Sequence, residues 1–432
     1  MKRIFLAALA IMLVPIMTAH AFAAGVTVNG TFTPQSMRHT TSTVTDAEAA
    51  FFNPGGFGFA DPGLYATAAN FLIFDRHHLK DASADTDYRG SSDIYLFPAA
   101  SVSFVADEWA AFLCSGVIGG GGSATYNHGS EALDSNVFDP TGFLTTQTGQ
   151  AFTPTKAKVS GSSASLHFTL GGAYEVIKDM LSFSAAGRFV SGAGSSQIEY
   201  SAFMNVAPAN TVTSKVETEE KAKGYGYVVS IATKPTKELS ISLKYESAII
   251  MEWENEVVTN EAVAFNPAIA AGLIAQTAAT DGVKKRKDIP AVGNIGISYK
   301  ITPEVEVGTG FGYTFQKMAN LSGDQENHID DAWSVTGSVE VTVMKGLKVG
   351  FVHSYSDNGT HNTGESAGLA EAATYPWVIS DSIGIGWEVM PGLIVEVGYA
   401  YQWYGTYTEK GHDFENSNTR NAFGFGVQYK FL

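Results

Sequence analysis

The chain is poor in cysteine, in basic residues and in long apolar runs, and each shortage excludes a class of protein. Cys114 is its only cysteine, so no disulfide can form within the chain. A formal net charge of -16 argues against a nucleic-acid partner, which needs clustered lysine and arginine. After the N-terminus no uninterrupted apolar stretch reaches the roughly 20 residues of a membrane-spanning helix. The chain also lacks nucleophile-elbow and zinc-ligand motifs, so we predict no enzyme activity, no cofactor and no metal site.

The N-terminus has the features of an export signal. Positive residues at 2 and 3 precede an apolar run over 4–17 and a small-residue cleavage site over 21–23. The apolar run is too short to cross a membrane as a helix. We therefore expect a signal peptide over residues 1–23 and an exported chain that begins at Ala24.

From Leu64 onward, apolar residues alternate with small or polar ones. This period of two places the two sets on opposite faces of β-strands. In the last segment the apolar set is Phe423, Phe425, Val427, Tyr429 and Phe431. The other face is too polar and too small-sided for a packed core. Either that face meets water directly, or the sheet closes around a wet interior.

The connections between these segments alternate in length. Seven long connections are expected around residues 76–92, 127–163, 201–223, 254–288, 319–330, 358–378 and 409–419. Six tight turns are expected at Asp107-Glu108, Lys178-Asp179, Lys234 to Lys237, Thr302-Pro303, Lys345-Gly346 and Pro391-Gly392. Short turns at one rim and long loops at the other are typical of outer-membrane barrels. The pattern predicts an all-β, transmembrane antiparallel β-barrel of 14 strands over residues 63–432.

Residues 24–62 do not alternate and must lie somewhere other than the wall. Thr45 and Glu48 form a capping-box pattern, which predicts a helix that ends at Asn53-Pro54. A segment attached at the periplasmic rim is well placed to fill a wide lumen. We expect a short, partly helical hatch inside the barrel; the alternative is a periplasmic tail.

The segment from Thr45 to Gly56, Thr-Asp-Ala-Glu-Ala-Ala-Phe-Phe-Asn-Pro-Gly-Gly, resembles the hatch motif of the FadL/TodX family of outer-membrane transporters for hydrophobic compounds. Weaker matches run along the chain, including Gly122 to Tyr126 and Leu166 to Val176. The resemblance implies a fourteen-stranded barrel with an N-terminal hatch in the bacterial outer membrane. The implied hatch residues are Asp46, Glu48, Phe51, Phe52, Asn53, Pro54 and Gly55, with Gly55 where the family usually has alanine.

A glycine run interrupts what is otherwise the third strand. Glycine inside a strand usually marks a bulge, a bend or a close backbone approach. In the resembling family the third strand kinks inward and opens a gap through which ligand leaves sideways into the membrane. We therefore predict a lateral-opening kink; the alternative is a flexible strand end below a long loop. The kink residues are Gly119, Gly120, Gly121 and Gly122.

The long connection over residues 254–288 contains a second candidate site. Asn266-Pro267 can start a helix whose body, over 268–275, is almost wholly apolar. An apolar patch at the outer rim is costly in water and suggests a contact surface. We expect a ligand groove, the role of outer loops in the resembling family; the alternative is a helix packed onto the barrel mouth. The groove residues are Phe203, Met204, Val206, Phe265, Ile269 and Leu273.

Strand parity places several charged side chains in the lumen, and such charges mostly pair with one another. The inward set is Arg188, Lys244, Glu175, Glu306, Glu340 and Glu396. Basic residues meet a fatty-acid carboxylate in the resembling family, but those positions do not match this chain unambiguously. Arg188 and Lys244 are therefore candidates by parity alone, and neutral hydrocarbons stay open as ligands.

These features predict an outer-membrane channel for passive, hatch-gated uptake of hydrophobic small molecules, either long-chain fatty acids or hydrocarbons. Lateral release into the membrane is expected. The expected partners are a hydrophobic ligand and outer-membrane lipid, with no nucleic acid and no obligate protein partner. Two alternatives remain. One is a general diffusion porin with an open lumen, and the other is a structural or adhesin barrel whose long loops are its functional part.

Overall fold

The computed structural model describes residues 33–81, 86–127, 137–138, 143–205, 210–276, 281–320, 326–327, 329–360, 375–408 and 414–431. The predicted signal peptide therefore lies outside the described residues. The β segments form one antiparallel sheet. Their bounds are β1 Gly63–Asp81, β2 Thr86–Val105, β3 Trp109–Tyr126, β4 Phe152–Ile177, β5 Leu181–Met204, β6 Thr211–Thr233, β7 Leu239–Glu246, β8 Glu252–Val263, β9 Lys284–Arg286, β10 Ala291–Lys300, β11 Val305–Phe315, β12 Ala332–Met344, β13 Leu347–Asp357, β14 Trp377–Met390, β15 Leu393–Tyr404, β16 Tyr407–Thr408 and β17 Phe414–Phe431.

The sheet closes on itself, because β1 pairs with β2 on one side and with β17 on the other. Three segments, β8, β9 and β16, continue the lines of β7, β10 and β15. The described residues thus form seventeen β segments but fourteen strands around the wall, as the loop pattern predicts. Closure leaves no unpaired sheet edge, as a barrel that spans the bacterial outer membrane requires.

The predicted alternation of apolar and polar faces is confirmed in β17. Phe423, Phe425 and Val427 face outward and are exposed to the surroundings of the barrel, whereas Ala422 and Gln428 are buried inside. Large apolar side chains on the outer surface suit a wall in contact with lipid. The small and polar side chains on the inner surface leave room in the lumen.

All six predicted tight turns are confirmed, and they join strands at one rim. Gly346 and Gly392 adopt φ values of 79° and 80°, in the left-handed region that glycine enters without strain. At the other rim two predicted loops are mostly strand, because β1 continues to Asp81 and β5 to Met204. Polar residues there hide the period of two, although the backbone ladder continues.

Helical segments are short and lie outside the wall. Within the described residues, no helix is long and apolar enough to cross a membrane. The α-helices are α1 Ala49–Phe52, α2 Phe143–Thr148 and α3 Pro267–Gln276. The 3₁₀ helices are Pro34–Met37, Thr41–Thr43, Pro54–Phe59 and Gln316–Met318.

Candidate functional site

Residues 33–57 lie buried or half-buried inside the barrel, so a lumenal hatch is confirmed there and a periplasmic tail is not the arrangement, whereas Asp61 and Pro62 before β1 are exposed and residues 24–32 lie outside the described residues. Arg38 Nη2 lies 2.7 Å from Glu396 Oε1 of β15, and Nη1 pairs with Glu340 Oε2 of β12. His39 Nε2 is 3.0 Å from Glu306 Oε1 of β11. These inward-facing carboxylates, predicted to pair with wall charges, are paired with the hatch.

Small residues on the inner face let the hatch backbone approach the wall closely. A Cβ atom on Gly350 of β13 would overlap the Arg38 carbonyl oxygen, and one on Gly398 of β15 would lie 2.5 Å from Met37 Sδ. Side chains cannot occupy these positions without moving the hatch. The small-sided inner face of these strands therefore forms part of the hatch site.

The start of α1 differs from the prediction. The capping box of Thr45 and Glu48 does not form: Asp46 Oδ1 accepts the Glu48 backbone N–H at 3.0 Å. Glu48 instead accepts a hydrogen bond from Thr33 Oγ1, so its side chain ties two parts of the hatch together. The helix spans only four residues because burial and tertiary contacts determine its length.

The remaining predicted hatch residues hold the segment against the wall. Phe51 and Phe52 are buried in an apolar cluster with Phe112 of β3. Asn53 Nδ2 donates to the Val44 carbonyl at 3.1 Å. Pro54 begins a 3₁₀ helix rather than a simple turn, and Gly55 N–H donates to Ser230 Oγ of β6 at 2.7 Å. The hatch is thus bound to opposite sides of the barrel.

Two acidic hatch residues lie in a buried environment. Burial raises the pKa of Glu48 well above its usual value, and the neighbouring carboxylates of Glu396 and Asp46 act in the same direction. Burial also raises the pKa of Asp46, although the Glu48 N–H and the Arg38 charge oppose this. The docked hatch therefore favours protonated carboxyl groups.

A cavity of about 300 Å³ lies between the hatch and the long-loop ends of the strands. Ile94 and Phe97 of β2 and Ile118 of β3 form an apolar part of its lining. Serine, threonine and amide side chains of β11 to β15 line another part, together with Thr40 of the hatch. The cavity can therefore hold a molecule with a large apolar body and a small polar group.

The wall beside the apolar lining is interrupted. The ladder between β2 and β3 stops at Ala99 and Gly116 and resumes only at Ser91 and Thr125. Within this interval β3 shifts register twice against β4, between Val117/Gly119 and Gly120/Gly122, and Gly120 has a φ of 67°. The four predicted kink glycines, Gly119, Gly120, Gly121 and Gly122, all fall within the interruption.

The Asn70 side chain of β1 bonds to the β2 backbone within this interval, where the β1–β2 ladder also shifts register. Its Oδ1 accepts the Phe97 N–H at 2.8 Å, and its Nδ2 donates to the Tyr95 carbonyl at 3.1 Å. These two backbone groups of β2 are therefore satisfied from β1. We call the interval of β2 over residues 92–98 and of β3 over 117–124 the wall gap.

The predicted outer helix exists, but three of the five described groove residues are buried. Ile269 and Leu273 of α3 pack into a cluster with Leu144 of α2, and Met204 is buried in the same cluster. They line no open groove, because the helix packs onto the barrel mouth, which was the alternative. Phe203 and Phe265 are exposed. Val206 lies outside the described residues.

The two predicted lumen cations share one partner that parity had not singled out, Glu246 at the end of β7. Arg188 Nη1 pairs with Glu246 Oε2, and Lys244 Nζ lies 2.7 Å from Glu246 Oε1. Lys244 Nζ also approaches the Phe51 carbonyl of the hatch at 3.4 Å. Two cations face one carboxylate, so this cluster retains a positive charge beside the hatch. Among the described residues, no group of three or more potential metal ligands occurs.

Neither a model of a known protein family nor the sequence of a curated protein matches this chain. Solved structures do match it over nearly its whole length. A Pseudomonas aeruginosa FadL homologue has a TM-score of 0.65 at 14% identity, covering 96% of this chain and 100% of the homologue. The Pseudomonas putida toluene transporter TodX has a TM-score of 0.62 at 12% identity, covering 96% of this chain and 100% of TodX.

The Ralstonia pickettii toluene transporter TbuX has a TM-score of 0.56 at 13% identity, covering 94% of this chain and 100% of TbuX. These neighbours are transporters rather than enzymes. At such identities the likeness establishes the fold and leaves the ligand to be argued from the site. This chain has the fold of the FadL and TodX outer-membrane channels, a closed barrel with its N-terminal segment folded inside the lumen.

Proposed function

We propose that this protein is a passive channel that takes hydrophobic small molecules, such as long-chain fatty acids or hydrocarbons, across the outer membrane. The observation that carries the proposal is the wall gap, which adjoins the cavity and is lined by Ile94, Phe97 and Val117. A ligand that leaves through the wall moves directly into lipid. Each methylene that avoids the watery periplasm favours this route by about 0.8 kcal/mol. Over an acyl chain this preference is decisive.

The hatch has the position of a gate. Its 3₁₀ helix Pro54–Phe59 lies against β4, β5 and β6, and its Arg38 region lies against β12 and β15. In the proposed cycle, a ligand reaches the cavity from the long-loop side and shifts the hatch contacts. The ligand then leaves through the wall gap, and its partition into lipid supplies the free energy.

An acidic ligand is favoured by the cluster of Arg188, Lys244 and Glu246, because its excess positive charge lies beside the hatch. A carboxylate that replaces part of the Glu246 pairing would satisfy both cations. Lys244→Met should then weaken binding of a fatty acid more than binding of toluene. Equal effects on both ligands would leave neutral hydrocarbons as the better ligand class.

The experiment that tests the proposal uses the detergent-purified full chain, oleate and toluene as binding probes, and a planar bilayer. We expect saturable binding of at least one probe and little steady ion conductance, because the hatch fills the lumen. Large conductance without binding would identify a diffusion porin. Neither binding nor conductance would favour a structural or adhesin barrel.

A further inference from the structure

The wall has a second interruption, on the far side of β4 and β5 from the wall gap. β6 pairs with β7 up to Val228 and Glu246, and pairs with β8 only from Lys221 and Glu254 onward. The chain between β7 and β8, over residues 248–251, leaves the β6 ladder after Ser247, whose N–H still donates to the Tyr227 carbonyl at 2.9 Å. Residues 287–290, between β9 and β10, run beside it through an antiparallel bridge of Ile249 and Ile289. We call these two stretches together the inward segment.

Glycines on the inner face of the wall make room for the inward segment. A Cβ atom on Gly224 of β6 would lie 2.5 Å from Ile249 Cγ2 and 2.7 Å from Met251 Sδ. A Cβ on Gly226 would lie 2.8 Å from Ile249 Cγ1. Ile249 and Met251 are accordingly almost fully buried. These two side chains point into the barrel, whereas Ile250 between them is exposed, so the segment keeps the alternation of a strand while it lies inside the wall.

The inward segment is a built structure, because its backbone groups are satisfied inside the barrel. Ile249 and Ile289 exchange both backbone hydrogen bonds, at 2.9 and 3.0 Å. The buried carboxylate of Asp288 accepts the Met251 N–H and the Asn320 N–H, each at 3.1 Å. Asp288 also pairs with Arg286. An anchored segment of this kind holds its apolar side chains at a fixed depth in the lumen.

Those side chains meet the kinked part of β3. Ile118 and Ile289 pack against one cluster with Ile249, Met251 and Trp253. A Cβ on Gly119 would lie 3.9 Å from Ile289 Cδ1. Ile118 in turn lines the cavity beside the wall gap. The displaced part of β3 therefore rests on the inward segment inside the barrel.

We propose that the inward segment limits the size of the ligand that can pass the wall gap. Ile289 supports the kinked β3 from inside the barrel and so sets the width of the gap. This inference rests on the proposed transport function. Ile289 is a positioning residue, because it acts on the ligand path through Ile118 and Gly119. A shorter side chain at 289 lets β3 move further inward and widens the gap. A longer one pushes β3 back toward the wall plane and narrows it.

The test compares uptake of toluene, a single ring, with uptake of phenanthrene, three fused rings, by cells that produce each variant. Ile289→Ala should raise the phenanthrene-to-toluene uptake ratio, and Ile289→Trp should lower it. Each change is expected to be on the order of tenfold, the discrimination that a few methylenes give in an apolar site. Val212→Ala is the matched control, because Val212 is also a β-branched apolar residue but lies in the cluster under the outer loops.

Folding is checked by the different gel migration of unheated and boiled samples. Opposite shifts of the ratio by the two Ile289 variants, with none for Val212→Ala, support the inference. An unchanged ratio, or equal loss of both substrates in folded Ile289 variants, overturns it while the wild-type uptake still supports transport. If the folded wild type takes up neither compound, the proposed function fails together with this inference.

Discussion

Arg38 of the hatch and Glu396 of β15 are 358 positions apart in the chain, yet their side chains are 2.7 Å apart inside the barrel. Glu340 of β12 pairs with the other arginine nitrogen, and these three side chains are at most 4% exposed; the partly exposed Lys348 of β13 also pairs with Glu340, at 2.8 Å. A buried network of this kind is costly to break, because each lost partner leaves an unpaired charge. The network therefore fixes the hatch to β12 and β15, away from the two strands of the wall gap.

Removal of the arginine should release this part of the hatch. Arg38→Ala leaves Glu340 and Glu396 without their shared cation and should lower the free energy of hatch docking by about 3 to 5 kcal/mol. Limited proteolysis within residues 33–62 measures the effect. The matched control is Arg76→Ala, which removes the exposed pair with Asp93 and should cost at most about 1 kcal/mol. Equal protease resistance of both variants would contradict this role of Arg38.

Hatch docking should weaken as pH rises. Burial, with Glu396 and Asp46 nearby, raises the pKa of Glu48, so the docked hatch holds a proton that a released hatch gives up. Docking is then strongest below the usual glutamate pKa and is weakened as pH rises toward the raised value. The raised pKa of Asp46 acts in the same sense, while Arg38 stays charged throughout.

Hydrogen exchange of the hatch amides from mildly acidic to mildly alkaline buffer measures this dependence. Glu48→Gln keeps the shape and removes the ionisation, so its hatch should exchange more slowly at alkaline pH and with a flatter profile. The same pH profile in wild type and Glu48→Gln would show that another group is responsible.

The buried cluster that contains Ile269, Leu273 and Leu144 gives a prediction about the long-loop rim. Leu273→Asp places a carboxylate in a buried apolar site and should destabilise the packing of α3 by several kcal/mol. Phe265→Asp, at a neighbouring exposed position, should leave that packing unchanged. Proteolysis of the loop around α3 distinguishes the two. Equal stability of the variants would mean that α3 does not depend on this cluster.

The wall was largely predictable from the sequence, whereas the contacts inside it were not. A period of two, as over Phe423 to Phe431, depends only on local order along the chain and on one face meeting lipid. The turns at Lys345-Gly346 and Pro391-Gly392 are equally local. Pairing between Arg38 and Glu396 depends on how the hatch lies across the lumen, and no local sequence pattern predicts that position.

The inward segment escaped prediction for a related reason. Ile249-Ile250-Met251 has the composition of a strand, and no residue in it indicates that the chain leaves the β6 ladder. The inward segment could have been predicted from glycines on the inner face of β5 and β6. Gly192, Gly224 and Gly226 leave space there for the side chains of the segment and of Trp253. The burial of Ile269 and Leu273 was not predicted either. An apolar helix can line an open groove or pack into a buried cluster, and its sequence is the same in both cases.

Exit of ligand through the wall gap is tested most directly by one measurement of uptake. Gly119→Val adds a β-branched side chain beside the gap, and its Cβ would make only ordinary contacts, 3.8 Å from Ser165 Cβ and 3.9 Å from Ile289 Cδ1. Gly187→Val is the matched control, because its Cβ would have no neighbour within 4 Å. Cellular uptake of oleate and toluene is measured for both folded variants, with binding to the purified proteins alongside. We predict that Gly119→Val binds ligand but transports it far more slowly than Gly187→Val and wild type. Transport by folded, ligand-binding Gly119→Val at the wild-type rate would contradict lateral release.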